Sequence, residues 1–204
     1  MRKRIKLSTF ALAVFFMASV SVNAQEKVSI GLKTEVNSTF YKYDAESIYS
    51  NSSQYPGGSA GVFFKYDFNK WFALQTDVML HYRNSEIENK LNNEKFKLES
   101  YDLELPVYAV FQTKVGTGKI FAGLGPYIGY GISAKTAGVN MYDKDATGKA
   151  PMKRLHYGAG TILGYDFGYF QINASYTSQN GIGAMRASSS LRRESFGLGI
   201  GLSL

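Results

Sequence analysis

The sequence contains no cysteine, and it has only two histidines, one tryptophan and four prolines. Without cysteine the chain forms no disulfide framework and no thiolate metal site, and it has no cysteine nucleophile. After residue 24 no apolar run approaches the roughly 18 residues that a transmembrane helix requires. These absences exclude a disulfide-rich scaffold and a bundle of membrane-spanning helices.

The first 24 residues form a segment of their own. MRKRIK is basic, LSTFALAVFFMASVSV is apolar, and the chain then reaches the small residue Ala24. This order predicts a secretory signal peptide, residues 1–24, that is cleaved after Ala24 and leaves residues 25–204 as the mature domain. The segment holds four bases and no acid, so the net charge falls from +7 for the whole chain to +3 for the mature domain. A charge of this size does not suggest a nucleic-acid-binding protein.

Glycine, tyrosine and phenylalanine are abundant, at 21, 15 and 14 residues, and apolar residues recur at every second position. In the final stretch, ESFGLGIGLSL, Leu198, Ile200 and Leu202 alternate with glycine and serine. Period-two alternation is typical of a β-strand with two different faces. The pattern predicts eight strands, at about residues 28–40, 59–68, 71–83, 99–112, 119–132, 155–167, 169–178 and 194–204.

Short and long connections alternate strictly between these predicted strands. The short ones are residues 69–70, 113–118 and 168, and the long ones are residues 41–58, 84–98, 133–154 and 179–193. Short turns at one end and long loops at the other are the plan of an outer-membrane barrel, and closure removes unpaired strand edges. The sequence therefore predicts an all-β fold, an eight-stranded antiparallel up-and-down transmembrane β-barrel whose first and last strands pair. With eight strands, side chains are expected to fill the lumen.

Alternation is also compatible with a soluble periplasmic lipocalin-like barrel, whose apolar face lines a ligand cavity. Here the second face carries glycine, serine and scattered charges, which suits a crowded barrel interior better than a water-exposed surface. Aromatic residues also gather at strand ends, as at the two interfaces of a membrane barrel. Those near the short turns are Tyr66, Phe68, Trp71, Phe72, Phe111, Tyr165, Phe167, Tyr169 and Phe170, and those near the long loops are Tyr41, Tyr43, Tyr82, Tyr101, Tyr130, Tyr157 and Tyr176. We therefore expect the apolar face to meet lipid.

The ionisable residues of the second face are predicted to form a polar network inside the lumen. Because an unpaired buried charge is very costly, we expect acids and bases to pair there. No residue stands out as catalytic, cofactor-binding or metal-binding, and no cofactor is expected. The candidates for the network are Lys33, Glu35, Lys65, Asp67, Asp77, Asp102, Glu104 and His156.

An outer-membrane enzyme that modifies lipid A, an acyltransferase or a deacylase, is the alternative in a different functional class. Such an enzyme requires a histidine that converges with a hydroxyl or a carboxylate. His156 shares its face with Ser175 and Asp77, but nothing in the sequence brings these residues together.

The long loops are where recognition is expected. Residues 179–193 carry Arg186, Arg192 and Arg193 and no acid. A basic rim suits the phosphates of lipopolysaccharide, although a solvated loop without a partner is equally consistent. In residues 84–98 the two signs of charge are mixed, which predicts a solvated loop. We expect outer-membrane lipid and lipopolysaccharide as partners, together with a protein partner at the loops. The basic residues of the third long loop are Lys135, Lys144, Lys149, Lys153 and Arg154, against Asp143 and Asp145.

Four stretches carry a resemblance to a known family: YDLELPVYAVF (residues 101–111), FAGLGPYIGYG (121–131), HYGAGTILGYDFGYFQINASYTSQNGIG (156–183) and SFGLGIGLSL (195–204). The chain resembles the small outer-membrane β-barrel domain family that includes the PorT-like and OmpX-like eight-stranded barrels, over essentially all of residues 25–204. The resemblance implies a barrel in the bacterial outer membrane, a link of a few members to secretion or surface motility, and no catalytic residues. We therefore expect a non-enzymatic integral outer-membrane barrel with a structural, adhesive or secretion-accessory role through its surface loops.

Overall fold

The structure is a computed structural model that describes residues 27–42, 49–89, 91, 93–144, 148, 150, 152–180 and 192–204. The predicted signal peptide and its cleavage site lie outside these residues. Within them, no helix is long and apolar enough to cross a membrane. The regular elements are strands: β1 (Val28–Lys42), β2 (Tyr49–Asp67), β3 (Phe72–Asn89), β4 (Glu94–Val115), β5 (Gly118–Thr136), β6 (Val139–Asn140), β7 (Leu155–Asp166), β8 (Phe170–Asn180) and β9 (Arg192–Ser203).

Eight of these strands close into one antiparallel ring. Each long strand pairs with its neighbours along the chain, β5 pairs with β7, and β1 pairs with β9. The two-residue β6 adds only a short hairpin to the outer end of β5. The predicted eight-stranded, all-β barrel is therefore confirmed.

The seam between β1 and β9 is continuous over the length of the last strand. Its register runs from Gly31 opposite Ser203 to Lys42 opposite Arg192. The amide of Leu204 then donates to the carbonyl of Ile30 at 2.8 Å. Backbone groups left unpaired in hydrocarbon cost several kcal/mol each, which is why the first and last strands of such a fold must meet.

Side chains alternate between an apolar exterior and a polar interior. On β9, Leu198 and Ile200 are exposed, whereas Gly197 and Gly199 face inward. On β1 the inward Lys33 is only 2 % exposed. This arrangement is the reverse of a soluble ligand-binding barrel, which keeps its apolar face inside.

Two belts of aromatic side chains surround the exterior. At the short-turn end, Trp71 stacks on Phe111 with 6.3 Å between ring centroids. At the long-loop end, Tyr82 and Tyr101 lie 5.1 Å apart. The prediction for Tyr41 is wrong, because its side chain points into the lumen and is buried. Tyr43, expected in the same belt, lies outside the described residues.

The prediction of a second long loop at residues 84–98 is wrong. The β3–β4 hairpin continues to the pair Asn89 and Glu94, so only residues 90–93 connect the strands. Period-two alternation persists through this stretch, and it buries Ile87 and Leu98 in the lumen. β2 likewise begins at Tyr49, within the first predicted loop. Short and long connections therefore do not alternate strictly, and a three-stranded extension rises above the outer aromatic belt.

Candidate functional site

The lumen is filled by layers of side chains whose order follows the inward positions of β3 and β4. From the long-loop end to the short-turn end, the inward residues of β4 read Leu98, Ser100, Asp102, Glu104, Pro106, Tyr108, Val110 and Gln112. Apolar residues therefore stand on either side of a charged middle. We name these layers the outer cap, the outer charge cluster, the inner charge cluster and the inner plug.

The outer charge cluster consists of Arg83, Arg193, Asp102, Glu104, His81 and His156. Each arginine bridges both acids. Arg83 lies 3.0 Å from Asp102 and 2.9 Å from Glu104. Arg193 lies 3.1 Å from Asp102 and 2.6 Å from Glu104. Two cations and two anions thus compensate one another in a site where all four side chains are buried.

The histidines complete this cluster as hydrogen-bonding groups. Arg193 Nη2 lies 3.1 Å from His156 Nε2, and because a guanidinium has no acceptor, this nitrogen accepts the bond. The proton of the ring is then on Nδ1, which donates to the carbonyl of Arg154 at 3.2 Å. His81 bonds through Nδ1 to Ser59 Oγ at 2.6 Å. Both histidines are therefore held by neighbours inside the barrel.

The catalytic constellation considered from the sequence is not assembled around His156. Asp77 bonds instead to Lys33 and Gln75, and the hydrogen bonds of His156 go to Arg193 and the Arg154 carbonyl. His81 does contact both Ser59 and Glu104, with Nδ1 2.6 Å from Ser59 Oγ and Nε2 3.4 Å from Glu104. His81 and Glu104 line a cavity of only about 20 Å³, which is about the space of one water molecule.

The inner charge cluster consists of Lys33, Glu35, Asp77 and Gln75. Lys33 Nζ lies 2.7 Å from Asp77 and 3.1 Å from Glu35. Gln75 donates to the other oxygen of Asp77 at 2.9 Å. The small glycines of β9 make room for this layer, since a Cβ at Gly199 would meet Glu35 Cγ at 2.6 Å.

Two apolar layers enclose the charged ones. The inner plug, toward the short turns, is Ala73, Tyr108, Val110, Phe121 and Ile162. The outer cap, toward the long loops, is Tyr41, Ile87, Leu98, Ala134, Met141, Tyr142 and Met152. The charge clusters are consequently separated from water at both ends by packed apolar side chains.

The outer cap depends on the segment between β5 and β7, which folds back into the barrel mouth. The amide of Met141 donates to Ala134 and that of Met152 to Met141. The Tyr142 hydroxyl reaches Asp102 at 3.5 Å and occupies the space that a side chain at Gly131 would need. Burial raises the pKa of the Tyr142 phenol, so the hydroxyl keeps its proton and donates to the carboxylate.

Arg154 holds the segment between β5 and β7 in place. Its guanidinium lies 4.7 Å from the Tyr142 ring and donates to the carbonyls of Gly131 and Ile132 at 3.1 and 2.9 Å. Its main contacts are thus within the protein. Of the other predicted loop bases, Lys149 and Arg186 lie outside the described residues.

A ring of alternating charges lies at the short-turn mouth, below the inner plug. Lys65 lies 3.0 Å from Asp166, and Lys119 lies 2.9 Å from Asp67. Gln112 donates to Asp67 at 3.0 Å. Asp67, Asp166 and Lys119 are partly exposed, as expected at an aqueous entrance, whereas Lys65 and Gln112 are buried.

The eight candidates from the sequence are distributed over three layers of the lumen. Asp102, Glu104 and His156 belong to the outer charge cluster, and the rest to the two lower layers: Lys33, Glu35, Asp77, Lys65 and Asp67. Arg193 was expected in a loop, which is wrong: it lies in β9 and is 3 % exposed. Its parity with the inward Gly197 and Gly199 is the signal that identifies it. Met141, Tyr142 and Met152 have no such signal, because they lie in an irregular segment.

Comparison with known proteins agrees with this architecture. Residues 23–180 match the family model described as outer membrane protein beta-barrel domain. No curated protein sequence matches the chain. Among solved structures, the chain is similar to Neisserial surface protein A (NspA), at 12 % identity and a TM-score of 0.52, covering 87 % of this chain and 99 % of that one.

Two further solved structures show weaker similarity. One is the outer membrane protein OprG from Pseudomonas aeruginosa, at 14 % identity and a TM-score of 0.47, covering 87 % of this chain and 97 % of that one. The other is Ail from Yersinia pestis, at 15 % identity and a TM-score of 0.46, covering 87 % of this chain and 99 % of that one. At such identities the likeness to NspA concerns the fold alone. The family match, which spans most of the sequence, carries the assignment. With its closed eight-stranded ring, its apolar exterior and this match, the chain belongs to the outer membrane protein beta-barrel domain family.

Proposed function

We propose that the protein is a non-enzymatic barrel of the bacterial outer membrane with a lumen closed by side chains, and that it acts through its outer surface in a structural, adhesive or secretion-accessory role. One observation carries this proposal. The two charge clusters lie between the outer cap and the inner plug, and the cavity beside them measures only about 20 Å³.

A solute would have to displace two kinds of barrier to cross this lumen. The arginine–carboxylate pairs of the outer charge cluster are bonded to one another at 2.6 to 3.1 Å. Leaving one of these buried charges without its partner costs about 3–5 kcal/mol. The apolar layers add a packing cost on either side. The protein is therefore proposed to be a plugged barrel without a standing pore.

Conductance in planar lipid bilayers tests the closed lumen. Insertion of the wild-type protein should give no stable current steps, because no continuous aqueous path crosses the barrel. The exposed-surface variant Lys97→Gln should behave identically. Reproducible ohmic steps from the wild-type protein would overturn the closed lumen.

We propose the absence of enzymatic activity because both histidines are held by neighbouring side chains in the lumen. His156 is bonded on both ring nitrogens, and His81 is bonded to Ser59 and lies beside Glu104. The neighbouring cavity is far smaller than a lipid A headgroup or an acyl ester. Cells with and without the protein should give the same lipid A mass spectrum. A lipid A change that is lost in His156→Gln would establish an enzyme instead.

The surface proposed for recognition is the extension formed by β2, β3 and β4 above the outer aromatic belt. Its outward face carries a ladder of mixed charges, in which Lys95 pairs with Glu86 at 3.4 Å and Lys97 with Glu99 at 2.9 Å. Tyr55 donates to Glu86 at 3.2 Å. A rigid, charged hairpin is better suited to a defined protein partner than a mobile loop, because less ordering entropy is lost on binding.

Cross-linking in intact cells tests this surface. Because the sequence has no cysteine, a single cysteine in Lys97→Cys provides a unique attachment point for a cleavable cross-linker. A specific protein adduct at Lys97→Cys that is absent at the short-turn position Lys114→Cys supports a surface partner. Identical adduct patterns at both positions would contradict it.

Lipopolysaccharide is the lipid partner that we propose. At the outer rim Lys135, Lys144 and Lys153 are exposed, and Lys42 lies opposite Arg192 in the β1–β9 register. Lysine and arginine bind phosphate through charge-assisted hydrogen bonds. The outer leaflet, with its lipid phosphates, would meet this rim first.

A further inference from the structure

The exterior of the barrel has one side on which small residues leave a groove. The groove measures about 440 Å³ and crosses β4, β5, β7, β8 and β9. Ala122, Thr161 and Ala174 leave the space, and larger side chains bound it: Phe111, Leu124, Leu163, Tyr176 and Phe196. Its volume falls within the roughly 300–1,000 Å³ of small-molecule sites.

The strand register explains why the groove exists. Ala122 lies between Phe111 on β4 and Leu163 on β7, and Leu163 lies opposite Ala174 on β8. Small and large side chains therefore alternate along one row across the strands. On β2 and β3, by contrast, the outward residues Val62 and Val78 are branched and lie directly opposite one another.

The groove runs between the two aromatic belts. One end is Phe111, which stacks on Trp71 at the short-turn end. The other end is Tyr176 and Phe196, whose rings lie 4.8 Å apart. It therefore lies within the band of the exterior that faces hydrocarbon.

Beyond its outer end, the groove continues into a basic site. Phe196 stacks on Phe40 at 6.0 Å, and Lys42 Nζ lies 5.4 Å from the Phe40 ring. Lys42 also pairs with Glu194 at 2.8 Å and lies opposite Arg192. Within the described residues, the bases Lys42 and Arg192 and the acid Glu194 lie where the aromatic strip meets water. An apolar groove that ends beside two bases suits an amphiphile of the outer leaflet that carries a phosphate.

We propose that the groove binds one acyl chain of a lipopolysaccharide molecule, whose phosphate contacts Lys42 and Arg192. The inference deepens the proposed lipopolysaccharide partner and rests on it. The apolar groove provides the chain site, the aromatic strip passes the interface, and the bases provide the headgroup site. A phospholipid of the inner leaflet would place its phosphate at the other end, beside Phe111.

Lipid retention by the purified protein tests this site. The chain is produced in the outer membrane of a Gram-negative host, extracted in mild detergent without added lipid, and examined by native mass spectrometry. Ala174→Trp fills the groove. Ala60→Trp, at an exposed alanine of β2 outside the groove, is the matched control. Heat-modifiable gel migration establishes that each variant is folded, and Ala122→Leu provides a milder filling should Ala174→Trp not assemble.

The wild-type protein and Ala60→Trp should retain one lipopolysaccharide per barrel. Ala174→Trp or Ala122→Leu should retain at least about tenfold less, because the chain loses its buried methylene contacts. Lys42→Gln should also lower retention. Wild-type retention in the filled groove would overturn the inference, as would a retained phospholipid or a second copy of the chain in its place.

The acyl-chain site and the headgroup partner fail on different results. Retention that depends on Lys42 and is unchanged by Ala174→Trp and Ala122→Leu would refute the acyl-chain site and leave the headgroup partner standing. A wild-type protein that carries no lipopolysaccharide would refute both.

Discussion

At the scale of single residues, Asp102 connects the outer cap to the outer charge cluster. It is bonded to Arg83, Arg193 and Ser100, and the Tyr142 hydroxyl lies at 3.5 Å. Its carboxylate is one of two that compensate two buried guanidinium groups. Removing one partner of such a set leaves a charge without compensation in a place that water does not reach.

Asp102→Asn should therefore destabilise the barrel by about 3–5 kcal/mol. Equilibrium unfolding in urea, with the protein in lipid vesicles, measures this loss. Glu99→Gln removes a carboxylate from the same strand in an exposed pair with Lys97, and it should cost less than about 1 kcal/mol. Equal effects of the two substitutions would show that the outer charge cluster is hydrated.

On the exterior, Ile200 is the residue whose substitution tests the lipid-facing side of the barrel. It is half exposed, and it lies between Thr34 and Ile172 in the middle of the apolar band. Ile200→Arg should cost about 2–4 kcal/mol, because an arginine at this depth is placed in hydrocarbon. Val139→Arg, at an exposed apolar position of β6 beyond the outer belt, should change the unfolding free energy little. A tolerated arginine at position 200 in the same vesicle assay would invert the assignment of the two faces.

At the scale of elements, β9 shows how a strand is adapted to a filled interior. Three of its inward positions, Gly197, Gly199 and Gly201, are glycines because side chains from other strands occupy the space beneath them. A Cβ at Gly199 would meet Glu35 Cγ at 2.6 Å and the Thr34 carbonyl at 2.7 Å. The bare face of this strand is thus the counterpart of the inner charge cluster.

Gly199→Ala should consequently destabilise the barrel by about 1–3 kcal/mol through overpacking. Gly58 on β2 is the natural control, since a Cβ there meets nothing closer than the Glu35 carbonyl at 4.0 Å. Gly58→Ala should leave the midpoint of thermal unfolding nearly unchanged. If both alanines were tolerated, the lumen would be less tightly packed than described.

At the scale of the whole molecule, the ring and its two faces follow from the sequence because both depend on period-two alternation. The parity that predicts an outward Ile200 also predicts an inward Lys33. The lengths of β3 and β4 were underestimated, since the mixed charges of residues 84–98 concealed the continuing alternation of Ile87 and Leu98. The outer cap could not be predicted, because Met141, Tyr142 and Met152 meet through an irregular segment whose path is set by tertiary packing. The partners of Arg193 depend on which strands face each other across the lumen, and no local pattern encodes that.

The central claim is that packed side chains seal the lumen at both ends, and chemical labelling of one buried position tests it most directly. Ser100 is 1 % exposed and lies between the outer cap and Asp102. Because the chain has no native cysteine, Ser100→Cys is a nearly isosteric and unique reporter, and the exposed Lys97→Cys on the same strand is its control. With a water-soluble maleimide, the folded protein should be labelled rapidly at position 97 and remain unlabelled at position 100 until it is unfolded. Labelling of Ser100→Cys in the folded barrel at a rate close to that of Lys97→Cys would contradict the sealed lumen.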